Sequence, residues 1–198
     1  MPQARKDTLI WQEGMYYHIY NRGARRISIF REPTNYLFTI SKIKEYSRAN
    51  DVSVIAYCLM PNHYHFVLRQ DGDEPAGNVP QSVFNSYSKA YNKRYGQSGT
   101  LFEGRFRAKP IQSMPHLLHL CRYIHGNPVK DGLVADPADW PYSNYLEWIE
   151  ERKGTLVDRE FIQQNFASPK EYRSFVHEYL KSRQLPEDVK KYLDEMEK

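Results

Sequence analysis

Cysteine is scarce in this chain: two residues in 198, Cys58 and Cys121, each set among apolar neighbours. Two thiols cannot supply the disulfide framework of a small secreted domain, so they read as buried thiols in a reducing compartment. Long apolar runs are missing too. No stretch approaches the ~20 residues that a membrane span requires, and the polar segment Met1 to Asp7 lacks a signal-peptide core. A cytoplasmic location with no membrane partner is therefore expected. Internal repeats and low-complexity tracts are also lacking, which removes repeat arrays from consideration. Acidic residues, finally, are short in one region. Between 89 and 130, eight cations (Lys89, Lys93, Arg94, Arg105, Arg107, Lys109, Arg122, Lys130) accompany one acid, Glu103, although the whole chain carries only +4. Such a local excess is the footprint of a polyanion binder, or else a solvated basic face with no partner.

What is present suits one globular domain with an appendage. The hydrophobic fraction is 40% and the charged fraction 26%, ordinary values for a chain that buries a core. Met15 to Tyr20 reads as a strand closed by the turn Asn21-Arg22-Gly23, and a helix is predicted from Pro33 to near Asn50-Asp51. Val52 to Met60 is almost wholly apolar, a strand covered on both sides. Pro61-Asn62 then makes a tight connection into a second strand at His63. Phe84, Tyr87, Tyr91 and Tyr95 recur at helical spacing and read as core packing. Arg105 to Ile111 alternates like a strand, with Arg105, Arg107 and Lys109 on one face. That face is either a phosphate-contacting surface or an exposed polar edge.

A helix follows, with Leu117, Leu120, Cys121 and Ile124 as its core stripe and His119, Tyr123 and Asn127 along one flank. Pro128 disfavours helical geometry at the preceding residue, which places Asn127 at or just past the helix end. There its amide either turns toward a nearby site or caps the helix. The order strand, helix, strand, strand, helix, strand, helix predicts an α+β, ferredoxin-like antiparallel sheet. Residues 1–150 form this domain. Residues 151–198 hold three further helical patterns and form a helical C-terminal extension of unread function.

Chemistry concentrates at Tyr57 to Leu68, YCLMPNHYHFVL. On a strand from His63 to Leu68, His63 and His65 project to one face and Tyr64, Phe66 and Leu68 to the other. Two imidazoles on one face can grip a cation, or can be hydrogen-bonded residues at a sheet edge. His18, His119 and His125 are rival ligands, and His119 is also placed to accept a proton beside Tyr123.

These residues resemble a known family. Tyr57 to Leu68 is similar to the histidine–hydrophobic–histidine motif of HUH endonucleases. Cys121 to Val134 (CRYIHGNPVKDGLV) resembles the single-tyrosine transposases, specifically their REP-associated branch. Tyr16 to Gly23 (YYHIYNRG) and Gly99 to Arg107 (GTLFEGRFR) look like that branch too, so the resemblance spans roughly residues 15–146. It implies that His63 and His65 bind Mg²⁺ or Mn²⁺ and that Asn127 is the third ligand. It further implies that Tyr123 is the nucleophile that cuts and rejoins single-stranded, hairpin-forming DNA through a 5′-phosphotyrosine. Asparagine at that ligand position fits the REP-associated branch, where many insertion-sequence relatives have glutamine. Arg22, Arg105, Arg107, Lys109, Arg122 and Lys130 are candidate DNA contacts. Two alternatives stand beside this reading: a non-catalytic, domesticated hairpin-DNA-binding regulator, and an RNA-binding protein that uses a basic sheet. Monomer and homodimer are both compatible with the residues, the latter with His63 of one copy serving Tyr123 of another.

Overall fold

The computed structural model describes residues 9–197; the polar stretch Met1–Asp7 lies outside them. Four strands, β1 (Tyr16–Arg22), β2 (Val52–Met60), β3 (His63–Gln70) and β4 (Arg107–Ile111), form one antiparallel sheet in the order β2-β3-β1-β4. With helices α1 (Pro33–Ala49) between β1 and β2 and α2 (Asn78–Tyr95) between β3 and β4, this is the ferredoxin-like βαββαβ layout. β2 and β3 form the expected hairpin, Met60 opposite His63 across the Pro61-Asn62 turn.

Alternation along the strands divides the molecule into two cores. Tyr17, Ile19, Tyr57, Leu59, Tyr64, Phe66 and Leu68 point to one side and pack with Ile43 of α1 and Val83, Phe84, Tyr87 and Tyr91 of α2. The aromatic stripe of α2 is core, as its spacing predicts. The opposite face receives α3 (Met114–Lys130), whose Leu117, Leu120, Cys121 and Ile124 are all buried. Burying each such leucine or isoleucine contributes ~1.5–3 kcal/mol. Both cysteines are free and buried, and burial pushes both thiols up.

The last third of the chain packs on the α3 side. Helices α4 (Tyr145–Trp148), α5 (Arg159–Asn165), α6 (Pro169–Ser182) and α7 (Glu187–Glu197) bring Trp148, Phe161, Tyr172, Val176, Tyr179, Val189 and Leu193 into the same core as Tyr123 and Tyr20. Gly126 lets α6 come close: a Cβ there would lie 3.1 Å from Leu180 and 3.2 Å from Tyr179. Helix α4 and the segment before it also cover the open edge of β2. Leu59 N donates to Tyr142 O (2.9 Å), and Trp148 Nε1 donates to Ile55 O (2.9 Å), which blunts an edge that would otherwise pair with another chain.

Two expectations need correction. Strand β4 begins at Arg107, so Arg105 stands in the loop before it. The third helix does not stop at Asn127. It continues through Pro128 to Lys130, with Asp131 N bonded to Asn127 O at 2.9 Å. The restriction before proline is a bias. Here a helix clamped between β2 and α6 overrides it.

Candidate functional site

The cross-strand register builds the floor of the site. His65 lies opposite Tyr20 on β1 and Cys58 on β2, and Tyr20 lies opposite Arg107 on β4. One step along, His63 lies opposite Arg22 and Met60. The two imidazoles stand side by side on one face, ring centroids 5.1 Å apart and nearly perpendicular. Tyr123 descends from α3 with its ring 6.1 Å from that of His65, and Asn127 follows one turn later. All four residues line one cavity of about 400 Å³ within a single chain, together with Tyr20, Arg22, Arg26, Asn62, Glu103, Arg105, Arg107, Lys130 and Asp131. Five cations against two acids make its rim basic.

Each imidazole is oriented by a hydrogen bond at Nδ1. His63 Nδ1–H donates to Asn62 Oδ1 (2.7 Å), while His65 Nδ1 lies 3.0 Å from His18 Nε2. This is how metal-ligating histidines are held when Nε2 takes the ion. Burial, then the nearby His63, His18 and Lys130, holds His65 well below the ordinary imidazole value, so the ring is neutral at physiological pH. Lys130 Nζ lies 3.4 Å from the Tyr123 hydroxyl, as donor, and 5.0 Å from its ring centroid.

Whether these residues suit a divalent cation is decided by the donor set. Asn127 is almost fully buried and its Nδ2 has no hydrogen-bond partner. That N–H donor calls for an acceptor such as a phosphate oxygen, since leaving it unmet costs ~1–3 kcal/mol, and it is the amide Oδ1 that could hold a cation. Among the described residues, no group of three or more His, Cys, Asp or Glu could hold a metal. The available set is therefore two imidazoles and a carboxamide, a donor set that fits a divalent cation. Two nitrogen donors suit Mn²⁺ better than Mg²⁺.

The other candidates separate cleanly. His125 is enclosed, bonded to Tyr172 OH (2.6 Å) and Asn144 Oδ1 (2.9 Å), and its ring fastens α3 to the segment on the β2 edge. His119 lies against Phe175, away from the cavity. His18 stands behind His65 rather than beside it. Of the cations, Arg22, Arg105, Arg107 and Lys130 reach the cavity, whereas Lys109 and Arg122 do not. Lys109 pairs with Glu195 of α7 (3.1 Å), and Arg122 is buried over Phe175 (4.4 Å) with its guanidinium on Gln184 O. Arg26 joins the rim from the three-residue turn Ala24–Arg26. That turn depends on Gly23, where a Cβ would run into the Ile27 carbonyl oxygen and the Ile29 side chain. Glu103 bonds the Arg22 side chain, so the lone acid of the basic region organises a cation rather than cancelling the rim. Tyr20 and Glu103 were missed by sequence reasoning. The signal for Tyr20 was its two-residue spacing from Arg22, legible only once the register is known.

The site is thus a histidine pair on a ferredoxin-like α+β sheet, faced by a helical tyrosine above a basic rim. Comparison with known proteins sharpens this. The family described as "Transposase IS200 like" matches residues 12–127, more than half of the chain, and the chain belongs to that family. It is 23% identical over 133 residues to the REP-associated tyrosine transposase of Escherichia coli (strain K12), a match that takes in 67% of this chain and 76% of that one. Its fold is similar to that of a REP-associated tyrosine transposase solved bound to a REP hairpin. There the TM-score is 0.60 at 21% identity, covering 80% of this chain and 94% of the other. Among the described residues, no helix is long and apolar enough to cross a membrane.

Proposed function

We propose that this protein is a metal-dependent endonuclease and strand transferase that cuts and rejoins single-stranded, hairpin-forming DNA through Tyr123. The observation that carries the reading is the meeting of Tyr123, His63, His65 and Asn127 at one basic cavity. The relative solved on a hairpin supports the choice of nucleic acid.

The residues divide the work as follows. Arg22, Arg26, Arg105 and Arg107 hold the phosphate backbone at the mouth and neutralise its charge. His63, His65 and Asn127 would hold the cation, which when bound polarises the scissile phosphate and offsets charge developing on it. Tyr123 Oη attacks phosphorus, a P–O bond to the tyrosine forms, and the bond to the 3′ oxygen breaks. The 3′ oxygen leaves with a proton while the phenol proton passes to solvent. Because one phosphoester replaces another, the 5′ end stays activated for rejoining without ATP. A phenol, with an ordinary pKa near ~10, is a weak nucleophile at neutral pH. Lys130 Nζ, a donor at 3.4 Å, stabilises negative charge on that oxygen as it forms.

The two alternatives fare differently. A sheet that binds RNA needs an open face for base stacking, but helices cover both faces here. The non-catalytic regulator is separated by experiment. Full-length protein is incubated with Mn²⁺ and end-labelled, hairpin-bearing single strands and resolved on denaturing gels. We expect a protein–DNA adduct that vanishes in Tyr123→Phe while hairpin binding persists. Binding with no adduct in the unaltered protein would select the regulator instead.

A further inference from the structure

The C-terminal helix lies beyond the segment matched by the family, and nothing above gives it a role. Among the described residues, its Tyr192 is hydrogen-bonded toward the site. Tyr192 OH lies 2.7 Å from His18 Nδ1, and His18 Nε2 lies 3.0 Å from His65 Nδ1. His18 is wholly buried, and its ring stacks on that of His65 at 5.2 Å. Two buried imidazoles and a hydroxyl thus form a continuous hydrogen-bonded chain that ends on α7.

Such a chain has only two proton arrangements. In one, His65 carries its proton on Nδ1 and donates to His18 Nε2, and His18 Nδ1–H donates to the Tyr192 oxygen. His65 Nε2 then presents a lone pair. In the other, Tyr192 donates to His18 Nδ1 and His18 Nε2–H donates to His65 Nδ1. A neutral His65 then carries its proton on Nε2, where it blocks coordination. We infer that Tyr192 is a positioning residue for the metal site: by accepting from His18, it fixes His65 in the tautomer that binds a cation, and so ties docking of α7 to metal binding. This rests on the metal reading proposed above.

The contacts around Tyr192 suit the task. Lys109 Nζ sits 4.6 Å over its ring and pairs with Glu195 one turn further along α7. His116 of α3 stands edge-on to the ring at 4.9 Å. These hold the phenol against β1 and β4 independently of its hydroxyl, so Tyr192→Phe removes the hydrogen bond and keeps the packing.

The test is Mn²⁺ binding to the full chain without DNA, measured by titration calorimetry for the unaltered protein, Tyr192→Phe and His65→Ala. Loss of an outer partner to a metal-binding histidine typically weakens affinity ~10–100-fold, and the lower part of that range is expected for Tyr192→Phe. Cleavage lost in this variant should be recovered by raising Mn²⁺. Since coupling is reciprocal, Mn²⁺ should also slow amide exchange in α7 of the unaltered protein, and much less so in Tyr192→Phe. Unaltered affinity in Tyr192→Phe, with affinity lost in His65→Ala, overturns the relay and leaves the metal site standing. Unaltered affinity in His65→Ala overturns the metal site and the relay with it. Should Tyr192→Phe fail to fold, long-range ¹⁵N spectra of the metal-free unaltered protein decide. Protons on Nδ1 of both His18 and His65 support the relay, and an Nε2–H on His18 overturns it.

Discussion

The two faces of β3 are built from adjacent residues and do opposite things. Tyr64, Phe66 and Leu68 face α1 and α2, where Tyr64 stacks on Phe84 with centroids 3.8 Å apart. His63 and His65 face the other way, into a basic cavity under α3. The first face is dry and filled by ring packing. The second holds polar groups, and there the buried Asn127 Nδ2 has no hydrogen-bond partner. Because successive side chains share one stretch of backbone, the aromatic face immobilises the strand on which the imidazoles are mounted. Stability and chemistry are thereby separated by a spacing of one residue.

Mutations on the two faces should therefore fail differently. Phe66→Ala removes a buried ring and should cost ~3–5 kcal/mol of unfolding free energy, read by urea titration. Activity per folded molecule should change little by comparison. His63→Ala, on a half-buried residue, should cost no more than about 1 kcal/mol in the same titration. Adduct formation in that variant should fall by at least ~100-fold, about 2.7 kcal/mol in the barrier. Equal losses of stability in the two variants would erase the distinction drawn between the faces.

Acid sharpens the comparison further, since the buried histidines all lie on the α3 side. Burial holds His125 down to about 4, with the Asn144 hydrogen bond opposing that shift, and its unfolded value is near 6.5. The unfolded chain therefore binds the extra proton first. This contribution to stability is complete above about pH 6.5 and is lost as pH falls toward 4. The drop is expected to be on the order of 3 kcal/mol and should show as a falling denaturation midpoint. His125→Gln should make it shallower, with His18 and His65, also lowered by burial, still contributing, and an unchanged slope in that variant would remove His125 as a cause.

The smallest effect concerns the rim. Arg107→Ala should weaken hairpin binding several-fold and lower the salt slope of the binding constant by about one. Lys109→Ala, two residues along the same strand, should leave that slope unchanged because Lys109 is held by Glu195. A matching change in both would mean that Lys109 leaves α7 to reach DNA.

Much of this was legible in the sequence because the signals were local. The His63–Leu68 alternation, the Pro61-Asn62 hairpin, the α2 aromatic stripe and the order of strands and helices along the chain all follow from period and turn chemistry. What escaped was decided by residues far away in the chain. Arg122 and Lys109 count as cations in any window, yet helices far later in the chain cover them, Lys109 by a residue 86 positions on. Pro128 looked like a helix end because the packing that carries α3 past it is tertiary. The role of His18 depends on Tyr192, 174 positions distant, and no local pattern connects them.

Tyr20 lines the same cavity as Tyr123, so the identity of the attacking phenol is the sharpest question to put to the molecule. The covalent complex formed with hairpin DNA and Mn²⁺ can be digested with nuclease and protease and its modified peptide sequenced by mass spectrometry. A 5′-phosphonucleotide on Tyr123 is the expected result. The same mass on Tyr20, or on any other residue, would contradict the account.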